Sequence, residues 1–285
     1  MSAATDARAG SPTLEARYSE EGVLAGRFDS RSDAEQLGDL LENGVGATFD
    51  LRAWSIRARE CSSVGGPRGR LALLLEPCRA DVAKWIAMQA LNRDGTRAAI
   101  RDQCVYAEIK PESMDAIFAE HAPYFQKLPA RTFWDLGSGV GKNVFLAAVT
   151  ERFDRTVGIE ILPELSIVAD ILRESFQEDV VCGNVAAAAV VVEFRTASFL
   201  EDLEWVTKAG CVYCNTIMFE EPLMAALATH ARGMQPGSIF ITLGQDLLGY
   251  YDEPAGDIPF EILESFLTQH SFGGGGVDTF VHRKI

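Results

Sequence analysis

From about residue 110 onward, short apolar runs alternate with amphipathic stretches along the chain. Pro111 opens a predicted helix with apolar residues at Met114, Ile117 and Phe118, and Pro129 follows its end. The run Thr132–Leu136 reads as a buried strand. A glycine-rich segment comes next, then an amphipathic helix from Lys142 to Phe153. A second strand, Thr156–Glu160, leads to Pro163 and a helix through Phe176. Further strands fit Val190–Thr196, Cys211–Asn215 and Ser238–Leu243, with a helix from Glu221 to Arg232 between the last two. This alternation predicts a mainly parallel sheet covered by helices on both faces. After Gly237 the pattern changes, and Pro259–Glu264 and Val277–Arg283 read as two strands with no helix between them. The expectation is an α/β, Rossmann-like domain, its mainly parallel sheet ending in antiparallel C-terminal strands.

The first third is less regular. Met1–Pro12 is small and polar and is expected to be a disordered tail. Residues 13–104 read as a smaller, partly helical module, and 105–285 as the catalytic domain. Within the module, Arg31–Leu41 suggests a short helix stopped at Asn43-Gly44, Gly65-Gly66-Pro67 a loop, and Arg79–Ile100 a helical stretch broken near Gly95.

The chain has 285 residues, 47% of them hydrophobic, enough for a sizeable core. Its longest apolar run, Val180–Val192, is interrupted by Gly183 and Asn184 and is too short to span a bilayer, so a soluble, intracellular protein without membrane contact is expected. A net charge of −15 disfavours coating nucleic acid with the whole surface and suits a basic protein partner. Charge is nevertheless uneven. Arg52, Arg57, Arg59, Arg68, Arg70 and Arg79 face only Glu60 and Glu76 in that interval, which reads as a solvated loop face or as a docking patch for DNA phosphates or an acidic protein surface. Six cysteines are present, and only Cys211 and Cys214 form a C-x-x-C pair. In a strand, positions i and i+3 face opposite sides, so neither a metal site nor a redox pair is expected there. Reduced thiols of a cytosolic or nuclear protein are the simplest reading.

The most informative stretch is Phe133-Trp-Asp-Leu-Gly-Ser-Gly-Val-Gly-Lys142. Gly137, Gly139 and Gly141 lie between a strand and a helix, where the backbone can approach a ligand and the helix N-terminus offers free N–H groups. The spacing is G-x-G-x-G, with Lys142 where a dinucleotide fold usually has its third glycine. That favours S-adenosylmethionine over a nicotinamide dinucleotide. Glu160, at the end of the next strand, can accept hydrogen bonds from both ribose hydroxyls. The competing reading is a tight turn followed by a solvated strand end.

Three further stretches carry a resemblance: Val105-Tyr-Ala-Glu-Ile109 with Pro111-Glu112, Asp135–Gly141, and Asn215-Thr-Ile-Met-Phe219. Over roughly residues 100–285 the chain resembles the disruptor-of-telomeric-silencing family of non-SET histone lysine methyltransferases, and its length is most similar to the compact kinetoplastid members. The resemblance implies that Tyr106 and Glu108 fold over the methionine end of S-adenosylmethionine, with Glu108 on its ammonium group. Asp135, Gly137, Ser138, Gly139, Gly141 and Lys142 would line its middle, Glu160 its ribose, and Ser198 and Phe199 its adenine. Asn215 and Phe219 would stand at the methyl-transfer point and the lysine channel, with Phe280 as the family's C-terminal aromatic. It also implies a nuclear protein, with some cytoplasmic presence compatible, that acts on histone H3 in the nucleosome core and releases S-adenosylhomocysteine.

The chain departs from the family pattern at Ala107, Ser198, Thr216 and Phe280, which stand for a glycine, an acid, a second asparagine and a tyrosine. The family's basic nucleosome-binding tail would be missing, which turns attention to the arginine-rich segment. Each aromatic also has a plain reading as core packing, Glu108 as a solvated side chain and Asn215 as a strand-end group. The histidines at 121, 230, 270 and 282 read as surface or packing residues. Two alternatives stay open: methylation of a non-histone protein or small molecule, and a non-catalytic scaffold that binds the cofactor.

Overall fold

The computed structural model describes residues 66–93 (except 76, 77 and 79), 106–183, 189–270 (except 253, 255 and 256) and 276–285. The expected tail, the helix at Arg31–Leu41 and the arginines at 52, 57, 59 and 79 lie outside the described residues.

Among the described residues the chain runs through α1 (Gly66–Leu75), α2 (Ala80–Arg93), α3 (Pro111–Glu120), α4 (Ala122–Phe125), β1 (Thr132–Leu136), α5 (Lys142–Ala148), β2 (Arg155–Glu160) and α6 (Pro163–Gly183). It continues with β3 (Val191–Thr196), α7 (Glu204–Lys208), β4 (Cys211–Asn215), α8 (Glu221–Ala231), β5 (Ile239–Leu243), a 3-10 turn at Leu248–Tyr250, β6 (Phe260–Gln269) and β7 (Gly276–Lys284). The strands form one seven-stranded sheet in the order β3-β2-β1-β4-β5-β7-β6. β1 to β5 are mutually parallel where they pair, and β7 runs antiparallel to both β5 and β6. The order reverses between β1 and β4. This is the class I methyltransferase topology, and ligands in such open sheets bind at the carboxyl ends of the strands beside that switch point.

Strand burial explains the pattern. β1, β2, β4 and β5 are covered on both faces and are almost wholly buried, which is why their apolar residues come in adjacent runs rather than in polar–apolar alternation. One core contains Phe133, Cys211, Tyr213 and Ile241; the other contains Trp134, Val212, Cys214 and Phe240. Cys211 and Cys214 therefore sit on opposite faces of β4, as strand parity requires.

The first core also includes Leu71 and Leu74 of α1, and Val82, Ala83, Ile86, Ala87, Ala90 and Leu91 of α2. These two helices pack on α6, and α1 also meets α5. The described part of the N-terminal third thus shares its core with the sheet domain.

Several boundaries differ from expectation. Gly66 and Pro67 open α1 rather than forming a loop, which fits proline's compatibility with the first helical turn. Arg68 on that helix is ion-paired with Asp115 of α3. Helix α5 stops at Ala148 instead of Phe153: the Thr150 hydroxyl bonds back to Ala147 O at 2.6 Å and Glu151 adopts φ 59°. β6 extends to Gln269, bent by an irregularity between Ile262 and Glu264. α7 lies in a stretch for which no helix was expected.

Candidate active site

The site is built at the carboxyl ends of β1, β2 and β4. The turn after β1 is fixed by Gly137 N–H and Ser138 N–H, which both donate to Ile159 O at 2.8 and 3.0 Å. Gly139 and Gly141 adopt φ of 55° and 83°, a region that side chains avoid. A Cβ on Gly139 would strike the Tyr106 ring, and one on Gly141 would strike the Phe194 ring. The missing side chains let the Tyr106 ring close down on Gly139 and the Phe194 ring on Gly141.

Glu160, at the end of β2, is 7% exposed. Its carboxylate accepts from Gly139 N–H at 2.7 Å and Leu162 N–H at 2.9 Å. Burial raises its carboxyl above the usual range, and those N–H groups oppose the shift. Asp135, on β1 and 2% exposed, is pushed up to about 8 by burial, with the neighbouring Glu160 adding and a hydrogen bond with Asn143 subtracting. Two buried carboxyls thus share the floor of the site.

The segment before α3 forms one wall. Tyr106 donates its hydroxyl to Glu108 at 2.5 Å, and Lys142 at the start of α5 donates to the same carboxylate at 2.8 Å. Asn215, the last residue of β4, holds this wall in place by donating Nδ2–H to Ala107 O at 2.9 Å. Its Oδ1 accepts from Ile217 N–H at 3.3 Å, a long bond that leaves acceptor capacity.

Phe199 and Phe219 form another wall, their rings stacked with centroids 5.8 Å apart and planes 18° from parallel. Phe199 is anchored through its carbonyl, which accepts from Trp205 Nε1–H at 2.8 Å. Phe219 is anchored by Gln245, whose Nε2 donates to Thr216 O at 2.6 Å and to Phe219 O at 2.7 Å. Thr216 is fully buried, its hydroxyl donating to Leu243 O at 3.1 Å and accepting from Gln245 N–H at 3.1 Å. The threonine is therefore the pivot of the turn that carries Phe219. Ser198 accepts from Leu200 N–H at 3.2 Å and shapes the turn after β3.

These walls enclose a cavity of about 310 Å³, at the small end of the range for ligand sites of roughly 300–1,000 Å³. Tyr106, Glu108, Asp135, Gly137, Ser138 and Gly139 line it, as do Lys142, Glu160, Ser198, Phe199, Asn215 and Phe219. Gly141 does not line it and instead caps α5. Phe280 is also elsewhere, on β7 opposite Thr242 of β5 and stacked on His282 at 6.1 Å. Strand parity puts it on the face of Phe240 and His282, away from the face of Tyr213 and Asn215.

Other cavity residues were not singled out from the sequence: Ala87 of α2, Asn143, Tyr213 and Leu223. Asn143 follows Lys142 directly, and that position beside the glycine loop is a signal that could have pointed to it.

The strand order, the three-glycine turn and the buried acid ending β2 define the chain as a class I methyltransferase domain. Residues 99–248 match the family model described as histone methylation protein DOT1, and the chain belongs to that family. The H3 lysine-79 specific histone-lysine N-methyltransferase of Eremothecium gossypii is 25% identical over 142 residues. The match covers 49% of this chain but only 24% of that protein, so this chain spans about a quarter of its relative's length. Among solved structures, the tRNA methyltransferase TrmK of B. subtilis aligns at 11% identity and a TM-score of 0.42, over 57% of this chain and 64% of its own. A tRNA methyltransferase of M. jannaschii aligns at 14% identity and a TM-score of 0.37, over 58% of this chain and 46% of its own. Fold and family together imply use of S-adenosylmethionine.

Proposed function

We propose that the protein transfers methyl groups from S-adenosylmethionine to a lysine in the globular core of histone H3 within nucleosomes. The observation that carries this reading is the Asn215–Ala107 hydrogen bond. It joins the end of β4 to the Tyr106–Glu108 wall, so one cavity is bounded by the glycine turn, Glu160, the aromatic pair and Asn215.

The residues present fit the cofactor. Ser138 Oγ and Tyr213 OH are buried at the cavity without a hydrogen-bond partner, as expected of groups awaiting a polar ligand. Glu160 would hold the ribose, Ser198 and Phe199 the adenine side, and Tyr106, Glu108, Asp135 and Lys142 the methionyl end. When bound, the cofactor supplies an already activated sulfonium methyl, so the protein's task is alignment.

The acceptor lysine has to arrive neutral, although its free pKa is ~10.4. The aromatic walls of Phe219 and Phe199 disfavour an ammonium by desolvating it, which promotes loss of its proton to solvent before transfer. Asn215 Oδ1 can then accept one amine N–H and orient the nitrogen lone pair. No strong general base is required of the chain.

A net charge of −15 suits a basic histone acceptor, and such an acceptor implies work in the nucleus. Arg52, Arg57, Arg59 and Arg70 remain candidates for contact with DNA or an acidic protein surface. Arg68 is already engaged with Asp115. Incubation with methyl-labelled S-adenosylmethionine and either nucleosomes or a cell extract tests the proposal: label on histone H3 is expected, and label only in small metabolites would overturn it.

A further inference from the structure

His282, on β7, is fully buried and stands in register with Phe240 of β5. Phe280 stacks on its ring, and Phe260 of β6 meets it edge-on at 6.5 Å. An apolar side chain would fill such a space, whereas a buried imidazole has to be hydrogen-bonded to be tolerated there. The ring is engaged at both ends. Nδ1–H donates to Phe240 O at 2.9 Å, and Nε2–H donates to Asp246 Oδ1 at 2.9 Å, with Leu247 N–H farther off at 3.4 Å. Burial raises the Asp246 carboxyl, but the His282 ring and Leu248 N–H lower it by more, so it stays below its usual range and charged. This contact clamps the segment after β5 onto β7, a task beyond surface exposure or plain packing.

The residue before Asp246 is Gln245, the bracket of the Phe219 turn. Its amide is committed on both sides: Nε2 donates to Thr216 O and Phe219 O, and Oε1 accepts from Tyr250 O–H at 2.5 Å. Such an amide moves only with the backbone that carries it, and His282 holds that backbone through the next residue. A shift of Gln245 displaces the Phe219 carbonyl, and with it the ring stacked on Phe199 in the cavity wall. Gln245, Asp246 and His282 themselves stand outside the cavity lining.

Resting on the functional reading above, we propose that His282 is a positioning residue for methyl transfer: through Asp246 and Gln245 it fixes the Phe219 ring against the acceptor lysine. Its contribution is geometric, and it exchanges neither a proton nor an electron with the substrate. Transfer needs its reacting atoms roughly 3–3.5 Å apart, and a misplacement of about 1 Å can slow a reaction by about a hundredfold. A relay behind the wall can therefore govern the rate without touching either substrate.

The test compares Asp246→Ala, His282→Asn and His282→Gln in the full chain. Asp246 is one-third exposed, so its alanine variant is expected to fold, and it decides the matter alone if the His282 variants do not. Asparagine keeps a donor for Phe240 O but cannot reach Asp246, whereas glutamine carries its amide N–H out to where Nε2–H was. Calorimetric titration with S-adenosylhomocysteine counts the folded sites and gives the cofactor affinity, which should be unchanged. Per folded site, kcat on nucleosomes should fall about tenfold or more in Asp246→Ala and His282→Asn, with KM little altered. His282→Gln should recover most of that loss, and the Asp246→Ala/His282→Asn double variant should be no slower than either single one. Wild-type kcat in Asp246→Ala, equal losses in the asparagine and glutamine variants, or a loss of cofactor affinity as large as that of kcat would overturn the relay. A wild type that binds S-adenosylhomocysteine but leaves nucleosomes unmethylated would instead overturn the functional reading, and the acceptor role of His282 with it.

Discussion

Asn215 and Ala107 are 108 positions apart in the chain, yet the Asn215 amide donates to the Ala107 carbonyl at 2.9 Å. One strand-end side chain therefore both lines the cavity and secures the Tyr106–Glu108 wall, the two roles that the proposed function gives it at the methyl-transfer point and the methionyl end. Asn215→Ala should lose both roles. Turnover should fall by about a hundredfold or more, on the scale of removing one positioning hydrogen bond at a reacting centre. Affinity for S-adenosylmethionine should fall by up to about tenfold, the worth of one hydrogen bond. Single-turnover rates beside calorimetric titration separate the effects, and undiminished methylation would remove Asn215 from the site.

Asp135 makes stability depend on pH. The free carboxyl has a pKa of ~3.9, and burial pushes it up to about 8 in the folded free protein. The folded state thus keeps a proton that the unfolded state has lost, and stability declines as pH rises from ~4 to about 8, with the loss complete above that. Asparagine cannot ionise, so the melting temperature of Asp135→Asn relative to the wild type should climb through this window and level off above it. A difference independent of pH would contradict the burial account.

Gly139→Ala should be damaging in two ways. The residue holds φ 55°, and the new methyl group would strike the Tyr106 ring. Backbone strain alone costs about 1–3 kcal/mol. Stability should drop by that order, and cofactor binding should fall further because Tyr106 is displaced. A substitution that leaves both unchanged would show that the turn does not need this glycine.

Glu108 and Lys142 are both less than one-fifth exposed in their pairing at 2.8 Å. Removing one partner leaves the other charge largely buried without its ionic partner. Glu108→Gln and Lys142→Met should each destabilise the protein by about 1–3 kcal/mol, and the double variant by less than the sum. Additive losses in denaturant unfolding would mean that the two residues act independently.

The sheet was legible in the sequence because β1 and β4 are buried on both faces, so adjacent apolar residues stand in them without polar–apolar alternation and with turn residues beyond their ends. The glycine turn was legible for the same reason that it works, since few residues tolerate its backbone. Tyr213 was hidden because Gly-Cys-Val-Tyr-Cys-Asn looks like any core strand, and nothing local distinguishes a tyrosine facing a cavity from one packed in the core. Thr216 and Gln245 could not be paired by eye. Their hydrogen bonds span 29 positions and arise only when β4 and β5 lie side by side. Phe280 was placed by sequence likeness alone, and the parity of β7 turns it to the other face. Gly66 and Pro67 were read as breakers, although both residue types are at home at a helix start.

The most direct measurement is mass spectrometry of nucleosomes after incubation with the protein and S-adenosylmethionine. The account predicts added mass in steps of one methyl group on a lysine of the histone H3 core, absent when Asn215→Ala replaces the wild type. Unmodified histone H3, with wild-type protein shown by calorimetry to bind the cofactor, would contradict it.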